Sequence, residues 1–206
     1  MRLDSPVIAA GTRITNLIIL NFYWLLGCLP VVTAGASTIA AFTVTLKMAE
    51  DREGSSMTAQ FWSAFVKNLK HGVPLTLILL AGCGSVWLDI KMIEADFGDS
   101  IGLLIAGVAV LVLLLIHFLY VFALEARYEN RLMAGLANAR GIFLYDFRRS
   151  LGLSAALLAE FIVVTQLNTP LRLFSSLFLP ILMIYTISKV IMPVFRKLEK
   201  ASGGAV

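Results

Sequence analysis

Twenty-three consecutive residues, Ile101 to Ala123 (IGLLIAGVAVLVLLLIHFLYVFA), carry no Asp, Glu, Lys or Arg. At about 1.5 Å per residue a helix of roughly 20 such residues crosses the ~30 Å hydrocarbon core of a bilayer. Backbone groups at that depth have no water to bind, so an isolated spanning segment of this kind has to be a helix. The rest of the chain conforms. Of its 206 residues 59% are hydrophobic and 15% charged, against about 45–50% and 25% in ordinary soluble domains. A soluble fold of this length has too little interior to hide so much apolar side chain. The expected class is therefore all-α: a polytopic helical bundle with lipid as its main solvent, a single transmembrane domain over residues 1–200 and a flexible tail at 201–206.

Further apolar segments follow. Ile14 to Val32 is uncharged, with Pro30 and Gly35 marking its end; Ala36 to Met48 is shorter and rich in Ala and Thr. The pair predicts a tight helical hairpin turning at Gly35. Glu50 to Met57 reads as a loop. Thr58 to Lys70 places Phe61, Trp62, Phe65 and Leu69 on one helical face, the pattern of an amphipathic helix lying in the membrane interface. His71-Gly72 should break it, and Pro74 suits the start of a new helix. Val73 to Leu88 is a third span and Asp89 to Ser100 an acidic loop; Ile101 to Ala123 is the fourth span. Glu125 to Ser150 is polar and basic with helical patterning. Leu151 to Leu167, interrupted by Glu160, and Leu173 to Met192 complete about six membrane segments.

Charge orients these segments. With both termini cytoplasmic and six alternating crossings, fifteen of the seventeen basic residues fall on the cytoplasmic side, all but Lys91 and Arg172. Cytoplasmic loops of membrane proteins carry this bias. The net charge of +4 therefore points to membrane orientation and not to nucleic acid, since the basic residues are scattered over short connectors. Cys28 and Cys83 sit in apolar runs with no metal or redox spacing and read as buried thiols. With two histidines in the chain, no metal site and no cofactor are expected.

Three blocks carry a family resemblance: NFYWLLGCLPVVTAGASTIAAFTVTLKM (Asn21 to Met48), FWSAFVKNLKHG (Phe61 to Gly72) and YVFALEARYEN (Tyr120 to Asn130). They resemble the YesL-like membrane proteins, small bacterial integral membrane proteins of unknown function. The most specific string is Leu25, Leu26, Gly27, Leu29, Pro30, Thr33, Gly35, Ala36, Ser37. The resemblance implies a multi-pass protein of the bacterial cell membrane, encoded near carbohydrate uptake and degradation genes. Sugar ABC-transporter permease subunits are its implied partners; the composition adds the lipid bilayer, and a second copy of the chain would enlarge the small pathway that six short helices could form. It implies no catalytic residue.

Candidate residues follow from chemistry. A carboxylate within a span costs at least about 2.5 kcal/mol on insertion scales, so Glu160 should face the bundle interior, a water cavity or a partner. It would serve either as a proton or polar-substrate contact or as a packing carboxyl. His117 pairs with it if their helices are neighbours, and is otherwise a satisfied core histidine. Asn21 and Gln166 complete the candidate intramembrane polar site; Asn21 with Tyr23 and Trp24 either lines a sugar pathway or links helices. Phe61, Trp62, Phe65, Lys67 and Lys70 are the expected membrane-interface or partner contacts. Gly27, Pro30, Gly35, Ala36 and Ser37 are the expected helix-packing residues, since small side chains let helix backbones approach.

Enzymatic motifs are missing: there is no phosphate-binding Gly-Lys-Ser/Thr loop, nucleophile elbow or two-His zinc pattern. Glu125-Ala126-Arg127 matches the Glu-Ala-Ala loop of ABC permeases poorly, because Arg127 replaces the second Ala and the next glycine is Gly135. The expectation is a non-enzymatic membrane accessory subunit of a carbohydrate uptake system; the alternative is a small stand-alone or dimeric transporter or channel.

Overall fold

The computed structural model describes residues 6–50, 56–97, 101–128, 132–145, 151–153, 155, 159, 166 and 168–201. Pro6–Cys28 forms α1 and Ala34–Ala49 forms α2. Leu29 and Pro30 bend between them, followed by a short 3-10 turn at Val31–Thr33. Here Thr33 Oγ1 donates to the Gly27 and Pro30 carbonyls at 2.7 and 2.8 Å. The predicted hairpin is present, but its turn falls before Gly35, which lies in the first turn of α2.

Met57–Lys67 forms α3, opened by Ser56, whose hydroxyl accepts from the Ala59 N–H at 3.3 Å. A serine there satisfies one of the donors that a helix start leaves free. A single turn residue, Asn68, joins α3 to α4 at Leu69–Phe97. Asn68 donates from both its backbone N–H and its side-chain amide to the Ala64 carbonyl. The break predicted at His71-Gly72 therefore falls earlier, and His71, Gly72 and Pro74 all lie inside α4. The predicted acidic loop from Asp89 is helical as far as Phe97. Lys91, Met92, Glu94 and Ala95 are good helix formers, and no glycine or proline intervenes before Gly98.

Ile101–Arg127 forms α5, Leu132–Tyr145 forms α6 and Thr169–Ala201 forms the last described helix, α7. Asn168 caps α7, its Oδ1 accepting from the Leu171 N–H at 3.3 Å. The described residues between 151 and 166 are helical. No strand occurs among the described residues, so the all-α bundle expected from composition is what forms.

α2 is the hub, packed against α1, α3, α4, α5 and α7. Twelve of its 16 residues are buried, many of them Ala, Gly, Ser or Thr, so neighbouring backbones come close. Its buried hydroxyls are satisfied: Thr45 Oγ1 bonds the Ala41 carbonyl at 2.9 Å and Ser188 Oγ at 2.7 Å, and Ser37 Oγ donates to the Trp24 carbonyl at 2.8 Å. At its start the Gly35 N–H donates to Thr76 Oγ1 of α4 at 2.8 Å.

α4 and α5 are an antiparallel pair in steady register. Ile90 lies by Gly107, Gly82 by Leu114, and His71 by Glu125. α2 does not run alongside α5. Its first turn meets the Phe122 ring, and Glu50, just past its end, binds Arg127. Those α5 residues are about 7.5 Å apart along the helix axis, against about 24 Å for the whole of α2. α2 thus crosses α5 obliquely, near its C-terminal end.

The distribution of apolar surface is that of a membrane protein. Ile101, Ile105, Val108, Val110 and Leu113 on α5, and Leu77, Leu80, Trp87, Leu88 and Met92 on α4, are exposed, whereas small and hydroxyl residues fill the hub. Four described segments are long and apolar enough to cross a bilayer: Val31–Ala49, Leu69–Ile93, Ile101–Arg127 and Leu179–Lys197. The expected first span is carried by α1, which is not among these four. Most of the expected fifth span lies outside the described residues.

Candidate functional site

The polar chemistry of the molecule collects where apolar helices end. The ends of α2, α5 and α7 and the beginning of α4 meet at one pole of the bundle. There the last turns of α5 place Glu125 and Arg127, two positions apart, on different sides of the helix.

Glu125 turns toward α4. Its Oε2 lies 3.0 Å from His71 Nδ1, the carboxylate side chain 1% exposed and the imidazole 42% exposed. An ionised carboxylate can only accept, so with Glu125 ionised Nδ1–H is the donor of this contact. The other oxygen, Oε1, has no hydrogen-bond partner among the described residues. It presses on Gly135 of α6, where any Cβ would collide with it. Glycine at 135 is thus what lets α6 settle over the carboxylate. From there α6 packs along α5.

Arg127 turns the other way. Its Nε donates to Glu199 Oε1 at 2.8 Å and its Nη2 to Glu50 Oε1 at 2.9 Å. The guanidinium also lies 5.5 Å from the Phe195 ring centroid, with Nη1 3.4 Å from Met192 Sδ. A planar fork of five donors suits two carboxylates at once. Tyr128 donates its hydroxyl to the same Glu199 oxygen at 2.9 Å. Burial, and then the Glu199 carboxylate, raise the Tyr128 phenol above its ordinary value. One arginine thereby fastens the ends of α2, α5 and α7 together.

The residues singled out from sequence lie elsewhere. Asn21 is buried on α1, His117 is half-buried with its ring edge-on to Phe118 at 6.0 Å, and Gln166 is exposed. Glu160, and with it the His117–Glu160 pairing, lies outside the described residues. Phe61 is fully buried, so it is not a headgroup contact. It packs against Tyr23, Trp62 and Phe65, while Trp62, Lys67 and Lys70 are exposed. α3 therefore binds the bundle with the aromatic face expected to meet lipid. Tyr23 reaches Thr58 at 3.0 Å and Trp24 Nε1 donates to Thr38 at 3.2 Å, links between helices.

Among the expected packing residues, Gly27, Gly35, Ala36 and Ser37 are buried, and Pro30 is exposed in the turn. Cys28 and Cys83 are free thiols, partly and not fully buried. Glu125 is too deeply buried to offer the docking surface that an ATPase-binding loop needs. His71 and Glu125 escape sequence reasoning because 54 positions separate them. The available signal was an acid and an arginine in the last turn of the longest apolar run, with a histidine opening another.

Residues 17–90, from within α1 through most of α4, match the model of a family described as a protein of unknown function, DUF624. This is the YesL-like family that the sequence blocks resemble, and it takes in α2, α3 and His71. No curated protein and no solved structure matches the chain.

Proposed function

We propose that this membrane protein, which carries the DUF624 domain over residues 17–90, is a non-enzymatic accessory subunit of an ABC-type carbohydrate uptake system in the bacterial cell membrane. Its role is to stabilise or regulate the membrane-embedded part. The observation that carries this reading is the α4–α5 hairpin. Away from the polar pole little of its surface is covered: the spans Leu69–Ile93 and Ile101–Arg127 are 11% and 12% buried within their most apolar stretches. Gly84 and Gly102 have open space where a Cβ would stand. Exposed small residues on an apolar helix surface suit close packing by another protein's helices. The family resemblance supplies the carbohydrate context. The polar pole carries Lys47, Lys70, Arg196, Lys197 and Lys200 on the same helix ends, which by the positive-inside bias makes it the cytoplasmic face.

The deciding experiment is copurification from the native membrane in mild detergent, read by mass spectrometry, beside sugar uptake in a deletion strain. Retention of permease subunits and impaired uptake are expected. A preparation without transporter components and a strain with unchanged uptake would end this reading. The His71–Glu125 pair, its carboxylate buried beneath a part-exposed imidazole, favours a second one, a small or dimeric transporter for a sugar or proton-coupled solute. In that case the purified chain moves solute across liposomes unaided.

A further inference from the structure

We infer that His71 and Glu125 form a proton-binding site whose occupancy sets how firmly α6 is docked on α5. The inference stands on the geometry of the pair and does not depend on the proposed transporter association. The carboxylate is buried, with one oxygen held by the imidazole and the other facing Gly135 without a donor. A buried charge that is only half satisfied is costly. The imidazole, with Nδ1 committed inward, is the exposed member of the pair.

The exchange balances simply. With Nδ1–H donating to Oε2, the pair holds one proton and a net charge of −1. A second proton from water adds to the Nε2 lone pair, giving imidazolium beside carboxylate and a net charge of zero. Release returns it to water. The ligand is the proton itself, taken through the exposed ring and balanced by the buried oxygen.

The link to α6 is steric. Gly135 lies on Oε1 without a donor for it, a contact that costs little over a neutral pair and more over a net negative one. Acidification should therefore tighten α6, and alkalinisation should loosen it. The other charged groups around the pair are accounted for. On α5, Arg127 is turned toward Glu50 and Glu199. On α4, Lys70 is exposed. On α6, Arg140 is exposed. On α3, Lys67 is exposed. On α2, Lys47 is exposed and Glu50 is held by Arg127. Glu129 and Arg131 lie outside the described residues.

The test is amide hydrogen exchange over residues 132–145 of the whole protein in lipid nanodiscs, corrected for intrinsic rates, from about pH 5 to 8, where histidines change charge. The wild type should show one single-proton transition, with exchange at least about fivefold slower at the acid end, the low end of ordinary site-to-site coupling. Glu125→Gln and His71→Gln should each abolish it. A flat wild-type profile, or one that both variants retain, overturns the inference. A second readout on the wild type covers variants that do not fold. Two histidines give two sets of ring nitrogen-15 signals, separable because the exposed His71 exchanges with water faster than His117. A His71 titration coinciding with the α6 transition supports the site; a His71 ring that does not titrate across this interval sinks it. Neither result bears on copurification with a permease, so the two proposals fail separately.

Discussion

Glycines in this chain do opposite things, and their neighbours decide which. A Cβ at Gly72 would collide with the backbone nitrogen and Cα of Ala36. Backbone cannot rotate away, so Gly72→Ala forces α2 and α4 apart and should cost about 1–3 kcal/mol, as overpacking does. Gly84, on the same helix, has nothing within 4 Å, and Gly84→Ala should be neutral or stabilise by up to about 1 kcal/mol through helix propensity. Thermal unfolding of the two variants in one detergent checks this: midpoints that fall equally would show that the α2–α4 approach is not tight. Tyr128 allows a test by pH. Its phenol titrates above its ordinary value of about 10 in the folded state. The unfolded chain then loses that proton first, so stability is complete below about pH 10 and falls as pH rises through the folded value. Tyr128→Phe should show a shallower alkaline decline in its unfolding midpoint than the wild type; parallel declines would mean that burial and the Glu199 contact do not hold the phenol protonated.

Three helices end on one guanidinium, and that clamp is a property of the elements, not of their sequences taken singly. Arg127 is 17% exposed, Glu50 10% and Glu199 32%. Breaking a buried pair costs about 3–5 kcal/mol, whereas an exposed one is worth about 1 kcal/mol or less. Arg127→Gln should therefore cost about 3 kcal/mol and Glu199→Gln no more than about 1. Arg127→Lys should recover little, because a point charge cannot fork to two carboxylates. Equal losses for Arg127→Gln and Glu199→Gln in thermal unfolding would refute the clamp. Such partnerships lie 71 to 77 positions apart along the chain, which is why they were not legible in it. The elements themselves were largely legible. Ile101 to Ala123 forced a helix, and Leu29–Pro30 forced a bend. The mistakes share a cause. Gly35 has the composition of a turn, yet it serves close approach to Gly72. Asp89, Glu94 and Asp96 look like a loop, yet without a glycine or proline among them α4 continues. Phe61 and Phe65 make the stripe of an interfacial helix, and only the neighbouring α1 and α2 turn Phe61 inward.

At the scale of the molecule, length separates the lipid-facing part from the polar pole. α4 has 29 residues and α5 has 27, about 43 and 40 Å of helix against ~30 Å of hydrocarbon. The hairpin is about 10 Å longer than that core, an excess that tilt or projection takes up, and its exposed apolar surface lies toward one end. From Ile116 to Glu125 α5 is almost wholly enclosed by protein, whereas Ile101 to Leu115 is mostly exposed and apolar. His71, Glu125 and Arg127 lie at the end of the hairpin away from its exposed apolar part, with Glu50 and Glu199 bound beside Arg127. This makes the membrane sidedness of distant residues a consequence of the fold. In a Cys28→Ser, Cys83→Ser background, Lys47→Cys, Lys70→Cys and Lys197→Cys, all exposed, should react with an impermeant maleimide from the same side. Ile101→Cys, at the far end of α5 and also exposed, should react from the opposite side. The clamp requires the ends of α2 and α7 to share a compartment with the start of α4, so labelling Lys70→Cys and Lys197→Cys from opposite faces would be incompatible with the Arg127 and His71 contacts together. Agreement would fix the polar pole to one leaflet.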